Sequence, residues 1–200
     1  MGLLKASGGN FSPTPGVEER ASLDHADPAV RRRAVQALAG EAGAVDTLVA
    51  MLPHETDNGV RQAAFLALAS AKTAAAAQGL AVLLGAADPA LRNGALETLA
   101  TMPEHARDLL DPLGRHADPD VRIFAVLLAG EIHDGDIAQW LIALAQAEAD
   151  PNVCSCLAEA LGGTGAPGAG EALAAIAARF PGDPFLGFAV DTALQRLSEG

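Results

Sequence analysis

The chain has 200 residues, of which 50% are hydrophobic and only 4% aromatic, and its 25 acidic and 13 basic residues give a formal net charge of −12. This size and apolar content suffice for a domain with its own core. An apolar fraction made mostly of Ala, Leu and Val, with no Tyr, favours closely packed helices over a sheet. The acidic charge argues against nucleic-acid binding, because proteins that grip phosphate backbones usually carry the opposite sign.

The N-terminal residues 1–16, MGLLKASGGNFSPTPG, are rich in Gly, Ser and Pro and are predicted to form a disordered tail before a repeat domain over 17–200. They contain no apolar stretch long enough for a signal peptide, and no later segment has the pattern of a membrane span. A disulfide between Cys154 and Cys156, two residues apart in one predicted helix, would be badly strained. We therefore expect a cytoplasmic protein that does not bind membranes.

A segment that begins with Asp recurs six times along the chain. Four copies align without gaps: DPAVRRRAVQALAG from Asp27, DNGVRQAAFLALAS from Asp57, DPALRNGALETLAT from Asp88 and DPDVRIFAVLLAGE from Asp118. Two looser copies begin at Asp150 and Asp183, and the six aspartates lie 30 to 33 residues apart. Regular spacing of this length indicates a solenoid of stacked repeats.

Each copy predicts one amphipathic helix, which we call a motif helix. The Asp can cap the first turn, and the Pro that follows it in five copies suits the first helical position. Apolar residues at three, seven, ten and eleven positions after the Asp form one stripe of a 3.6-residue period. Between the copies lie further apolar segments, at 45–52, 79–85, 107–114, 136–145 and 170–180. Each unit is therefore predicted to be a pair of antiparallel helices that must stack on its neighbours to bury the stripe.

The unit D-P-x-V-R-x-x-A-x-x-A-L-G resembles the short HEAT-like repeat named after phycobilisome lyases, over residues 17–200. The resemblance implies an all-α, right-handed α-solenoid of about six antiparallel helical hairpins, with the motif helices on the concave side. It does not imply one activity, because the scaffold is reused for many functions.

The family often carries Arg four positions after the Asp, and four copies here follow that pattern. We expect a structural ladder that braces successive repeats, made of Asp27, Arg31, Asp57, Arg61, Asp88, Arg92, Asp118 and Arg122. Copies five and six carry Cys154 and Gly187 in place of the Arg, so that end is expected to be less tightly braced or to be covered by something else.

Enzymatic relatives of this repeat define the alternatives. Deoxyhypusine hydroxylases carry His-Glu pairs that hold two irons inside the repeat helices, whereas the one His-Glu dipeptide here, His54-Glu55, falls in a turn. Bilin lyases share the repeat without a short motif that can be matched, so a subunit of a bilin lyase or isomerase stays open as the alternative function. DNA-binding HEAT-like proteins use a basic face, and Arg31–Arg33 form the sole basic cluster. We predict no catalytic residues, no metal and no cofactor.

Several other residues have plain structural interpretations. His25 and His116 precede the same Ala-Asp-Pro turn and are interpreted as solvated turn residues, and the two cysteines as small packing residues. The segment 133–136, His-Asp-Gly-Asp, lacks the remaining ligands of a calcium loop and is interpreted as a turn. Residues 162–165, Gly-Gly-Thr-Gly, are predicted to stop a helix, and Trp140 is predicted to be a core residue.

The outward side of the motif helices is predicted at five and nine positions after each Asp, opposite the core stripe. Most residues there are polar, but Ile123 and Leu127 should face solvent with Phe124 beside them, and exposed apolar clusters often mark interaction sites. We therefore predict a protein-binding groove formed by Ile123, Leu127, Phe124, Leu66, Asn93, Glu97, Glu159 and Phe188.

The sequence thus predicts a non-catalytic scaffold or adaptor that binds a protein or peptide in its concave groove. A partner with an apolar anchor and basic flanks would suit the groove. Two alternative roles for the apolar residues stay open: packing against the neighbouring repeat, and self-association, for which Phe185 and Phe188 near the C-terminal end are candidates.

Overall fold

The computed structural model describes residues 22–41, 43–132 and 136–199. In these ranges a short 3₁₀-helix, Ser22–Asp24, precedes eleven α-helices, and no strand is present. The motif helices are α1 (Pro28–Leu38), α3 (Asn58–Ala71), α5 (Pro89–Ala100), α7 (Pro119–Glu131), α9 (Pro151–Gly162) and α11 (Pro184–Glu199). The helices between them are α2 (Ala44–Met51), α4 (Ala74–Leu83), α6 (Pro103–Gly114), α8 (Ile137–Ala147) and α10 (Ala169–Arg179).

The helices pack in two layers. The motif helices form one layer in chain order, each against the next, and the even-numbered helices form the second. Each even-numbered helix also packs against the motif helix that follows it, which gives five complete hairpins in the described part of the chain. The protein is therefore an all-α solenoid, as the repeat predicted. The segment that would complete a sixth hairpin, and the predicted tail 1–16, fall within residues 1–21, outside the described ranges.

Each motif helix begins at its repeated Asp because the carboxylate satisfies free N–H groups of the first turn. Asp27 Oδ1 accepts from the Ala29 N–H at 2.8 Å, and Asp57 Oδ1 accepts from the Val60 N–H at 3.0 Å. The same contact recurs at Asp88, Asp118, Asp150 and Asp183. The predicted capping role of the Asp is confirmed.

One continuous apolar core runs between the layers through all the repeats. On α3, for example, Val60, Ala64 and Leu68 are fully buried at positions three, seven and eleven of the repeat. Ala37 on α1, predicted as part of the stripe, is exposed, since α1 begins the described stack of motif helices. None of the helices in the described ranges is long and apolar enough to cross a bilayer.

Candidate functional site

The side of the motif helices that points away from the second layer, which we call the outer face, carries two open grooves. One groove of about 410 Å³ lies between α3 and α5, and one of about 330 Å³ lies between α1 and α3. Leu66 lines both grooves, and its side chain is 62% exposed. Their lining includes the residues five and nine positions after the first three aspartates: Arg32, Gln36, Gln62, Leu66, Asn93 and Glu97.

The floor of the α3–α5 groove is apolar because Phe65 lies against a glycine. A Cβ atom at Gly94 would lie 2.4 Å from Cε2 of the Phe65 ring, so no other residue fits there without displacing the ring. Ala69 and Ala90 complete the small-residue part of the lining. The absence of a side chain at residue 94 therefore makes room for the Phe65 ring, which lines the groove beside Leu66.

Two charged groups of opposite sign line the same groove. The Arg61 guanidinium is neutralised within the protein, because Nη1 lies 2.8 Å from Asp88 Oδ2 and Nε donates to the Glu55 carbonyl at 2.7 Å. The N–H of Ala90, and then Arg61, hold the pKa of the Asp88 carboxyl below its usual value. The Glu97 carboxylate is exposed and forms no ion pair with any described residue.

Two of the predicted groove residues on α7, Ile123 and Phe124, are less exposed than the sequence predicted. Ile123, expected to face solvent, is half-buried and packs against the core, and so does Phe124. Gln62 and Asn93, at the same repeat position on α3 and α5, are exposed, so the apolar Ile123 side chain differs from them by packing partly against the core. Leu127 is 44% exposed on α7. The outer face therefore carries exposed leucines at two repeats, with the described grooves beside Leu66.

The remaining predicted groove residues lie further along the solenoid. Glu159 is exposed on α9, and Phe188 on α11 is 75% exposed. Phe185, on the same helix, is 85% exposed. Neither of the two grooves is lined by these residues or by Leu127, so the structure does not bring all eight predicted residues into one site.

The expected Asp–Arg ladder is found at one step and replaced by Glu–Arg pairs at two others. Arg61 pairs with Asp88 of the next repeat, as expected. Arg31 instead forms a two-pronged pair with Glu55, with both N–O distances 2.7 Å. Arg122 pairs in the same way with Glu148, at 2.8 and 2.9 Å. Each Glu lies two residues before the Asp of the next repeat, so the arginines do brace successive turns.

Each bracing Arg also donates hydrogen bonds to backbone carbonyls of the turn that precedes its own motif helix. Nη1 of Arg31 donates to the carbonyls of His25 and Ala26, and Nη1 of Arg122 donates to those of His116 and Ala117. Arg92 makes the same contacts with Ala86 and Ala87, but no described carboxylate pairs with it. The aspartates of the ladder at copies one, two and four serve as helix caps.

The Glu partners have lowered pKa values. The hydrogen bond from Arg31 is the largest influence on Glu55 and lowers its pKa, against an opposing effect of burial. For Glu148 burial alone would raise the pKa, but the hydrogen bonds from Arg122 and the Asp150 N–H outweigh it. Both carboxylates are therefore held ionised in structural contacts. Glu55 of the His54-Glu55 dipeptide is thus already engaged.

Two histidines and both cysteines have structural surroundings that account for them. His25 and His116 are more than solvated turn residues, because each ring Nδ1 accepts an N–H from the capping Asp, at 3.0 and 3.1 Å. Burial raises the pKa of the Cys154 and Cys156 thiols to about 11 each, so both are protonated at neutral pH. No group of three or more potential metal ligands occurs in the described ranges; residues 133–135 lie outside them.

Two contacts in the C-terminal half of the chain are made by residues that lie outside the repeated motif. Trp140 is half-buried rather than fully in the core, and its Nε1–H donates to Asp111 at 2.9 Å. Arg179 on α10 donates to the carbonyls of Ala145, Gln146 and Glu148 at the end of α8. Arg179 thus braces the repeat in which Cys154 replaces the usual Arg.

The sequence profile of HEAT repeats matches residues 18–105 and 106–184. The chain belongs to the HEAT-repeat family. This agrees with the resemblance read from the repeated D-P-x-V-R unit. The HEAT profile ends at the start of α11. That helix is nevertheless capped by Asp183, and it packs against α9 and α10 as the other motif helices pack against their neighbours.

Three solved structures are similar to this chain at low sequence identity. A chain from the complex of CpcE and CpcF of phycocyanin lyase from Nostoc sp. PCC7120 is 18% identical, covering 100% of this chain and 99% of that one, with a TM-score of 0.38. Human deoxyhypusine hydroxylase is 18% identical, covering 94% and 86%, with a TM-score of 0.46. A designed armadillo repeat protein is also 18% identical, covering 92% and 100%, with a TM-score of 0.41. A comparison with curated proteins finds no match.

Proposed function

We propose that this HEAT-repeat protein is a non-catalytic scaffold or adaptor that binds a segment of another protein across its outer face. The observation that carries the proposal is Leu66, a large apolar side chain that is 62% exposed between two grooves on that face. Exposed apolar residues beside grooves with polar rims are typical of interaction sites. Leu127, two motif helices further along, gives the same face a second exposed apolar side chain.

The spacing of the two leucines suits a short segment. Helices in contact lie about 8–10 Å apart, so α3 and α7, with α5 between them, are separated by roughly 16–20 Å. An extended segment of about five or six residues covers that distance. Complete burial of a Leu side chain contributes about 1.5–3 kcal/mol, and Leu66 has more than half of that still to gain.

The engagement of the reactive groups supports a non-catalytic role. His25 and His116 accept backbone N–H groups, Glu55 and Glu148 pair with arginines, and both thiols are protonated. The alternative, a subunit of a bilin lyase or isomerase complex, predicts a pigment on the captured partner. Visible absorption of the purified complex would therefore separate the two functions.

The test is affinity capture from native lysate with wild type and two variants, Leu66→Arg and Leu127→Arg, followed by identification of bound proteins by mass spectrometry. The matched control is Val82→Arg, because Val82 is an apolar residue on α4 that is 74% exposed in the other layer. We expect a partner that wild type and Val82→Arg retain and both Leu variants lose, with all four folded by circular dichroism. Equal capture by all four would contradict the proposed face, and loss from Val82→Arg alone would move the site to the second layer.

A further inference from the structure

We infer that the α3–α5 groove receives a basic side chain, Arg or Lys, of the bound partner, with its stem on Phe65 and Leu66 and its cationic tip at Glu97. The inference rests on the proposed function and names the chemistry of its partner. It depends on three independent properties of the groove: its shape, its unbalanced charge and the position of that charge along the helices.

The shape of the groove fits a long side chain with an apolar stem. The Phe65 ring and small residues form the floor, Leu66 forms one wall, and Asn93 and Glu97 line the opposite helix. Lys and Arg place their methylene groups along apolar surface while the charged tip stays at a polar or aqueous end. A groove with an apolar floor and a carboxylate on its rim offers both environments.

The charge of the groove is negative once internal pairs are removed. Arg61 is balanced by Asp88 at 2.8 Å, which leaves the Glu97 carboxylate as the unbalanced charge among the residues that line the groove. A partner cation would pair with that carboxylate beside low-dielectric walls. An acidic side chain would instead be repelled, and a purely apolar one would cover a carboxylate without compensating it.

The carboxylate also lies at the end of the groove where a cation is most favoured. Glu97 is three residues before the end of α5, and Ala69 of the groove lies two residues before the end of α3. Helix C-termini carry partial negative charge, so the end of α5, which Thr101 caps, adds to the attraction of Glu97, whereas the end of α3 is followed by Lys72. Arg61 lies near the start of α3, so the basic side chain should enter with its tip towards the helix C-termini.

The net charge argues against a second copy of this chain as the occupant. With a formal charge of −12, two copies repel each other at long range, whereas a basic segment is attracted towards the same surface. Self-association through the outer face is therefore a contrary outcome of the tests below.

The experiment begins with phage-displayed random linear peptides selected on the full chain, with counter-selection on Leu66→Arg. Sequencing shows whether a basic residue next to an apolar residue is enriched. The affinity of one selected peptide is then measured by fluorescence anisotropy against wild type, Glu97→Gln and Glu159→Gln. Glu159 is the matched control because it is exposed at the same repeat position on α9 and does not line the groove.

A double-mutant cycle gives the decisive readout. Glu97→Gln should weaken binding of the selected peptide about three- to fivefold, as expected for a partly exposed ion pair. The same substitution should leave unchanged the affinity of a peptide whose basic residue is replaced by Gln. The Glu159→Gln variant should bind both peptides with the same affinity as wild type.

Four outcomes would overturn the inference, and they differ in whether the proposed function falls with it. The selected peptides could depend on Leu66 but show no enrichment of basic residues, or no energetic coupling between their basic residue and Glu97. Either result would show that the groove does not receive an Arg or Lys side chain, and it would leave the proposed function standing. Failure to select any peptide whose binding depends on Leu66, or Leu66-dependent dimers in sedimentation, would overturn both.

Discussion

The ring of Phe65 on α3 lies against Gly94 on α5 so closely that a Cβ atom at residue 94 would be 2.4 Å from the ring. The contact joins two repeats and sets the depth of the groove beside Leu66. A glycine in the middle of a helix normally destabilises it, by about 1 kcal/mol relative to Ala. At this position it makes room for an aromatic ring from the neighbouring repeat.

Gly94→Ala should therefore destabilise the protein, although Ala is the better helix former. We expect a loss of about 1–3 kcal/mol, because the ring must move out of its site in a packed interface. The control is Gly187→Ala on α11, where a Cβ atom would meet nothing within 4 Å and the helix should gain up to about 1 kcal/mol. Urea unfolding of both variants checks this, and equal gains in stability would show that Phe65 does not constrain residue 94.

The Arg122–Glu148 pair should contribute measurably to stability because Glu148 is buried and makes four hydrogen bonds, two from Arg122 and two from backbone N–H groups. Glu148→Gln keeps the shape and removes the charge, with an expected cost of about 1–2 kcal/mol. Glu159→Gln, at an exposed position, should be neutral. Urea unfolding that gave the same midpoint for the two variants would rule out a stabilising role for the pair.

The lowered pKa values of Glu55 and Glu148 predict acid sensitivity. Both lie below the ordinary value of 4.5 when the protein is folded, so their stabilising effect is complete above that pH. It is lost as the pH falls through the folded-state values, because the unfolded chain then binds protons more readily. The double variant Glu55→Gln/Glu148→Gln should lose less stability than wild type on acidification, as followed by thermal unfolding. Parallel losses in both proteins would mean that other groups cause the acid sensitivity.

The fold could be predicted from the sequence because each local signal agreed with the others. Asp27 and its five equivalents cap helices, and most of the stripe that follows is buried where the period placed it, with exceptions such as Ala37 on the first motif helix and Leu194 on the last. These signals depend on neighbours within one helix. The family resemblance pointed to the same arrangement.

The site was less predictable because it depends on how helices from different repeats stack. The outward register was visible in the sequence, but Ile123 is half-buried where Gln62 and Asn93 at the same repeat position are exposed, so its burial depends on local packing that the register does not give. The position of the Phe65 ring beside Leu66 depends on Gly94, and the sequence alone does not show that these two residues of different repeats lie opposite each other. The Glu–Arg pairs do have a signal in the sequence: copies two and five carry Glu two residues before the Asp, where it meets the Arg of the preceding repeat.

The Glu that stands two residues before the Asp in copies two and five suggests a stabilising substitution in copy four. His116 occupies the same place before Asp118, next to the repeat that carries Arg92, and its ring accepts the Asp118 N–H. His116→Glu should keep that hydrogen bond, as Glu55 does with the Asp57 N–H, and should add a carboxylate for Arg92. We expect a gain of up to about 1 kcal/mol in urea unfolding. The gain should vanish in an Arg92→Gln background; if it persists there, the new carboxylate acts in some other way.

Photocrosslinking tests the proposed binding face most directly. Benzoylphenylalanine is placed at position 66 on the outer face or at position 82 in the second layer, two sites where the native apolar side chain is 62% and 74% exposed. The two proteins are expressed in the native host and irradiated, and crosslinked products are identified by mass spectrometry. A discrete crosslinked protein from position 66 and none from position 82 is the predicted result. A crosslink from position 82 alone would contradict the assignment of the outer face as the binding surface.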